Sequence, residues 1–138
     1  MSSREYWFNG IGVEVLHFED FCSEEQYEQL VDAVRSYDLK LPYPLDSFKD
    51  DDNDGAIVVH TYAISALGGE NQLKNLQFYT AEELANMIFD TLNEVNYLSK
   101  DVYQEIEELN SLSDEAFKEA FVQRIAACFE ELELCHYA

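Results

Sequence analysis

Positive charge is what this chain has least of: 8 Lys and Arg stand against 29 Asp and Glu, a formal net charge of -21 over 138 residues. So few cations leave phosphate backbones and anionic lipid surfaces nothing to grip, which excludes direct binding to nucleic acid or a membrane surface as a working role. Cysteine is scarce too. Cys22, Cys128 and Cys135 are odd in number and lack a CxxC spacing, which excludes a disulfide scaffold and predicts free thiols in a reducing compartment. No apolar run approaches the roughly 18 residues of a spanning helix. Met1 to Phe8 carries Arg4 and Glu5 where a leader peptide would have an apolar core and a cleavage site. The expectation is a cytoplasmic protein, in the host cytosol if the gene is carried by a phage.

What is present is the material of a folded core. Apolar residues make up 47% and aromatics 14%, with nine Phe and nine Tyr, so the acidity does not signal disorder. The length suits a single acidic domain spanning 1–138.

Residues 6–18 are rich in aromatic and β-branched side chains around Asn9-Gly10, a pair that favours a tight primed turn. They predict an N-terminal β-hairpin. Ser23 with Gln26 forms a capping box, and Tyr27, Leu30, Val31 and Val34 continue at helical spacing, predicting a helix over 24–37. Pro42 and Pro44 end any helix there. Residues 46–55 read as an acidic loop leading into Ala56 to Ile64, an interior strand, with Leu76 to Tyr79 as a short edge strand. From Thr80 onward the pattern is helical. Thr80 and Glu83 repeat the capping box ahead of Leu84, Ile88, Leu92 and Val95. Ser99 opens a shorter helix with Val102, Ile106 and Leu109. Ser113 caps a longer one with Phe117, Phe121, Ile125, Cys128 and Leu132. The fold class expected is α+β: an N-terminal β-hairpin and small antiparallel sheet packed by about four helices, the C-terminal half helical.

The acids are spread between the apolar positions of amphipathic helices, which marks a folded acidic surface and not a disordered acidic tail. Asp90, Glu94, Asp101, Glu105 and Glu108 recur three, four or seven apart, and mutual repulsion costs a few tenths of a kcal/mol per close pair. Four helical residues rise about 6 Å, whereas a DNA strand sets a phosphate about every 3.4 Å along its axis. Several acidic elements side by side are needed to imitate a duplex, and the late helices together with Asp50, Asp51, Asp52 and Asp54 supply them. Tyr97, Tyr103 and Tyr137 are candidate anchors among the acids, since tyrosine favours interface centres.

In charge, size and lack of catalytic motifs the chain resembles the DNA-mimic inhibitors found among phage antirestriction and anti-CRISPR proteins. That resemblance rests on overall character, with no aligned motif. It implies a non-enzymatic inhibitor that binds a basic nucleic-acid-binding protein or ribonucleoprotein complex, without a cofactor. An immunity protein neutralising a basic toxin, such as a nuclease, follows from the same electrostatics. A third alternative is a calcium-binding module: Asp50-Asp51-Asp52-Asn53-Asp54-Gly55-Ala56-Ile57 matches the opening of an EF-hand loop through Asp50, Asp52 and Asp54, although Thr61 stands where the bidentate Glu belongs. Cys128 with Cys135 and His136 lacks the ligand number and spacing of a zinc site. His17 and His60 fall in strand-like runs and read as partly buried imidazoles. No nucleophile elbow, phosphate-binding glycine loop, His-Glu metal helix or dinucleotide fingerprint is present.

Overall fold

The computed structural model describes residues 5–42, 45–49, 54–59, 79–103 and 113–137. Its centre is a four-stranded antiparallel sheet in the order β2-β3-β1-β4, formed by β1 (Glu5–Glu14), β2 (Leu45–Phe48), β3 (Ala56–Val59) and β4 (Glu130–Tyr137). Three α-helices accompany it among the described residues: α1 (Glu24–Arg35), α2 (Ala81–Glu94) and α3 (Asp114–Ala127). Two 3₁₀ segments, Val15–Phe21 and Lys100–Val102, join them. The α+β class therefore holds.

The Asn9-Gly10 pair does not turn. β1 runs straight through it, pairing with β4 from Glu5 to Gly12 and with β3 from Ile11 to Glu14. A hairpin at this point would use only local hydrogen bonds, whereas the continuous strand carries Asn9 and Gly10 into the ladder with β4 and the residues beyond them into the ladder with β3. Gly12 is required by close approach: a Cβ there would lie against the Ile57 carbonyl and 2.5 Å from Val58 Cγ1. Beyond Glu14 the expected second strand is instead the 3₁₀ segment that buries Val15, Phe18 and Phe21.

Two further expectations change. Leu45–Phe48, read in part as acidic loop, is the edge strand β2, and the last helix stops at Ala127, so Leu132 lies in β4. Phe117, Phe121, Ile125 and Cys128 set a stripe that Leu132 happens to extend. The competing period of two, Leu132 and Leu134 between Glu131 and Glu133, is the one realised. The interior strand is confirmed over Ala56–Val59. The helix expected to open at Ser99 is only the 3₁₀ turn Lys100–Val102, with no side-chain cap from Ser99 and Tyr103 extended after it; its remainder with Ile106 and Leu109, residues 60–64 and the strand expected up to residue 78 lie outside the described residues, and Tyr79 is in no strand.

Register separates the two faces of the sheet. Ile11, Val13, Leu45, Ile57 and Val59 join the main core, whereas Ala56 and Val58 form a second cluster with Phe48 and Leu132 on the other face. Onto the first face pack Leu30 and Val34 of α1, Leu84, Ile88 and Leu92 of α2, and Phe121 and Ile125 of α3. An aromatic cluster ties the helices together. Phe121 lies 5.6 Å from Phe18, 5.0 Å from Phe21 and 5.3 Å from Phe89, centroid to centroid. Burying each such side chain contributes on the order of 1.5–3 kcal/mol.

Candidate functional site

Capping chemistry fixes where the helices begin. Ser23 and Gln26, like Thr80 and Glu83, form the reciprocal capping boxes expected from sequence, and the Ser113 hydroxyl accepts from the Ala116 N–H. Each first turn carries two acids: Glu24 and Glu25, Glu82 and Glu83, Asp114 and Glu115. The partial positive charge of a helix N-terminus stabilises such carboxylates by about 0.3–1 kcal/mol each. Folding alone accounts for these acids.

Glu94 is different. It occupies the last turn of α2, where the helix end is partially negative and no basic residue stands in compensation, so its charge opposes the fold. The helix then stops in a Schellman-type turn. Asn96 takes a φ of 61°, and the Tyr97 N–H donates to the Leu92 carbonyl at 2.9 Å. Val95, in this turn, is 46% exposed, and Asp101 is exposed on the 3₁₀ segment that follows.

Other helix starts are held against this acidic end. While the Gln26 Oε1 accepts from the Ser23 N–H at 2.8 Å, its Nε2 donates to the carbonyls of Asn96 at 3.3 Å and Leu98 at 3.4 Å. One side chain thus closes the capping box of α1 and joins α1 to the end of α2. The Ser99 N–H donates to the Phe21 carbonyl, and Lys100 pairs with Asp114 at 2.8 Å. Asp114 raises the Lys100 pKa, with Asp101 adding to the effect. The start of α1, the end of α2 and the start of α3 therefore meet at one junction. The helix ends it joins carry Glu24, Glu25, Glu94, Asp114 and Glu115, with Asp101 on the 3₁₀ segment between α2 and α3.

The scarce cations are drawn into the fold. Each of the four salt bridges among the described residues joins separate elements: Arg35 to Asp54, Lys100 to Asp114, Lys118 to Asp90 and Arg124 to Asp20. Lys118 also lies 5.6 Å from the centroid of the Phe89 ring, so it bridges α3 to α2 by charge and by ring face. Asp90 thereby serves as a structural partner.

The sequence-predicted residues divide accordingly. Glu94 is exposed in the last turn of α2 and Asp101 is exposed on the 3₁₀ segment that follows, while Tyr97, between them in sequence, is partly buried. Tyr103 is no exposed anchor: it is buried and stacks on Phe21 at 4.6 Å, because the chain turns inward after Val102. Asp54 belongs to α1, its Oδ2 accepting from the Tyr27 hydroxyl and its Oδ1 from Arg35, both at 3.0 Å. Burial, and then this bond to Asp54, raise the Tyr27 pKa. Both oxygens of Asp54 are engaged and β3 follows Gly55 directly, while the residues after Val59, where the helix leaving an EF-hand loop would lie, are outside the described residues. Asp50, Asp51, Asp52, Glu105 and Glu108 lie outside the described residues, as does the side chain of Tyr137.

Cys128 and the Cys135-His136 pair do not share a helix. Cys128 caps α3, whereas Cys135 and His136 stand far along β4 opposite Trp7 and Tyr6, about 15 Å of strand away from its start. Burial pushes the Cys22 thiol up to about 12, and burial likewise raises Cys128 against the opposing effect of Arg124. Neither thiol has the depressed pKa of a nucleophile.

Val95, expected on the apolar stripe of α2, is instead exposed in its cap; Gln26 was expected in the capping box but not as the bridge to α2; and Tyr37 was not singled out by sequence. Tyr37 ends α1 at a φ of 58°, 47% exposed and edge-on to Phe48. Such a conformation is uncommon for a bulky residue, and nothing in its local pattern announces it. Among the described residues, potential metal ligands gather where β1 ends beside the start of β4: Glu14, His17 and Glu130. No described helix is long and apolar enough to cross a membrane. Comparison with protein-family models, curated proteins and solved structures gives no match.

Proposed function

We propose that the protein is a non-enzymatic inhibitor whose acidic surface occupies the nucleic-acid-binding face of a basic protein or ribonucleoprotein, the mode of action of phage antirestriction and anti-CRISPR inhibitors. The observation that carries this reading is Glu94: a carboxylate kept in the last turn of α2 against the helix dipole, at a junction already crowded with acids. Selection for stability alone favours a cation at such a position. Retaining an acid there, in a chain of net charge -21, is explained by a target that needs negative charge.

The junction also supplies what charge alone lacks. Val95, exposed beside Glu94, and the partly buried Tyr97 offer apolar contact in the middle of the acids, as binding hot spots require. Electrostatic attraction then speeds encounter and makes association fall with salt.

The test is affinity capture at low salt with two forms of the chain, wild type and the folded double variant Glu94→Gln/Asp101→Asn. The expected result is one basic nucleic-acid-binding protein retained by the wild type at stoichiometric yield, released by salt, displaced by its own DNA or RNA, and weakened at least about tenfold by the double variant. Trace amounts of many basic proteins, captured equally by both forms, would overturn the reading.

A further inference from the structure

Two carboxylates and an imidazole meet at the other end of the 3₁₀ segment. Glu130 on β4 stands opposite Gly12 on β1, and Glu14 lies two residues beyond Gly12, so Glu14 and Glu130 project from the same face as diagonal neighbours. It is the face of the second cluster, since Ala56 pairs with Glu14 and Val58 with Gly12. At Val15 the strand gives way to 3₁₀ geometry, and His17 is carried back over these two carboxylates. One oxygen of Glu14, one oxygen of Glu130 and one ring nitrogen of His17 all lie within 4.8 Å of one another.

We propose that Glu14, His17 and Glu130 form a binding site for a divalent first-row transition metal, with zinc as its type ligand. The ligands come from three points of the backbone that regular structure fixes: the end of one strand, the first turn of a 3₁₀ segment and the start of the neighbouring strand, Glu130 being exposed there. Zinc bonds to His nitrogen and carboxylate oxygen are about 2.0–2.2 Å, which places ligand atoms roughly 3.5 Å apart in a tetrahedral site. Three protein ligands leave the fourth position to water or to a partner's side chain.

The imidazole separates this site from the general acidity of the surface. Carboxylates alone suit Mg²⁺ and Ca²⁺, whereas a carboxylate pair with an imidazole favours zinc and its neighbours. Glu14 and His17 are also partly buried, unlike the carboxylates of the helix faces. The ion pins β4 to the start of the 3₁₀ segment.

The full chain is stripped with a chelator and titrated calorimetrically with zinc chloride against a millimolar background of Mg²⁺. The expected result is one zinc per chain with a Kd of about 10 µM or tighter, weakened at least about tenfold in His17→Gln and in Glu130→Gln, unchanged in Cys128→Ser and Glu119→Gln, and accompanied by a raised melting temperature. A cobalt derivative should show visible absorption that His17→Gln removes. No stoichiometric zinc uptake, or uptake that His17→Gln leaves intact, would overturn the site.

Discussion

The first turn of α2 and its last turn carry the same kind of side chain for opposite reasons. Glu82 and Glu83 sit where the helix end is partially positive, and Glu83 completes a capping box with Thr80 at 3.1 and 3.2 Å. Glu94, one residue before the cap, sits where the helix end is partially negative. One helix therefore contains acids that folding rewards and an acid that folding penalises, by about 0.3–1 kcal/mol each. The lesson extends to the whole surface. Much of the negative charge belongs to helix starts or to ion pairs such as Asp90 with Lys118 and Asp20 with Arg124, and net acidity alone does not identify a binding face. What remains at the junction after that subtraction is Glu94 and Asp101.

The largest expected effect comes from removing what both ends of α2 rest on. Phe121→Ala empties the centre of the aromatic cluster formed with Phe18, Phe21 and Phe89 and should cost about 3–5 kcal/mol in urea unfolding. A cost below about 1 kcal/mol would mean that the two ends are not held on one core.

Cys22 lies between that core and the capping box of α1, and its thiol is buried and neutral. Its pKa is raised from 9.0 to about 12 on folding, so between those values the unfolded chain has released a proton that the folded chain keeps. Stability should accordingly fall as pH rises through this window, by at most about 1.4 kcal/mol per pH unit. Tyr27, raised in the same direction, adds to the decline above its ordinary value of 10.0. Cys22→Ala should flatten the part that begins near pH 9, as read from melting temperatures across an alkaline series.

Gln26→Ala sharpens the comparison further. It removes half of the α1 capping box together with the bridge to Asn96 and Leu98, and should cost about 1–2 kcal/mol. Glu83→Ala, which removes half a capping box without a bridge, should cost less. Equal costs would show that the bridge contributes nothing to holding the junction.

Salt should act in the direction that the surplus charge dictates. Raising NaCl from about 10 mM to about 0.5 M should raise the melting temperature by a few degrees by screening self-repulsion, despite weakening the four exposed salt bridges. A melting temperature that falls with salt would mean that those bridges outweigh the repulsion.

The helix starts were legible because capping is local: Ser23, Thr80 and Ser113 announce themselves within three or four residues. The interior strand at Ala56–Val59 was legible from its apolar run. What sequence could not show was pairing at a distance. Asn9-Gly10 has the local chemistry of a turn, and only the presence of β4, more than a hundred residues away, makes it the middle of a strand. β4 itself was masked because Leu132 fits the helical stripe of α3 and the strand period equally well. At the site, Glu94 and Asp101 were recognisable as acids. Their meeting with the start of α1 depends on the Gln26 amide, whose second set of partners lies some seventy residues along the chain. The grouping of Glu14, His17 and Glu130 likewise depends on strand register.

The most direct test is a matched pair of charge reversals on α2, Glu82→Lys and Glu94→Lys, each compared with wild type by urea unfolding at low salt. The account predicts opposite signs: Glu82→Lys loses about 0.3–1 kcal/mol, and Glu94→Lys is neutral or gains a similar amount. If Glu94→Lys instead destabilises the protein as much as Glu82→Lys does, the fold itself requires that carboxylate, and the junction is not a surface kept for a partner.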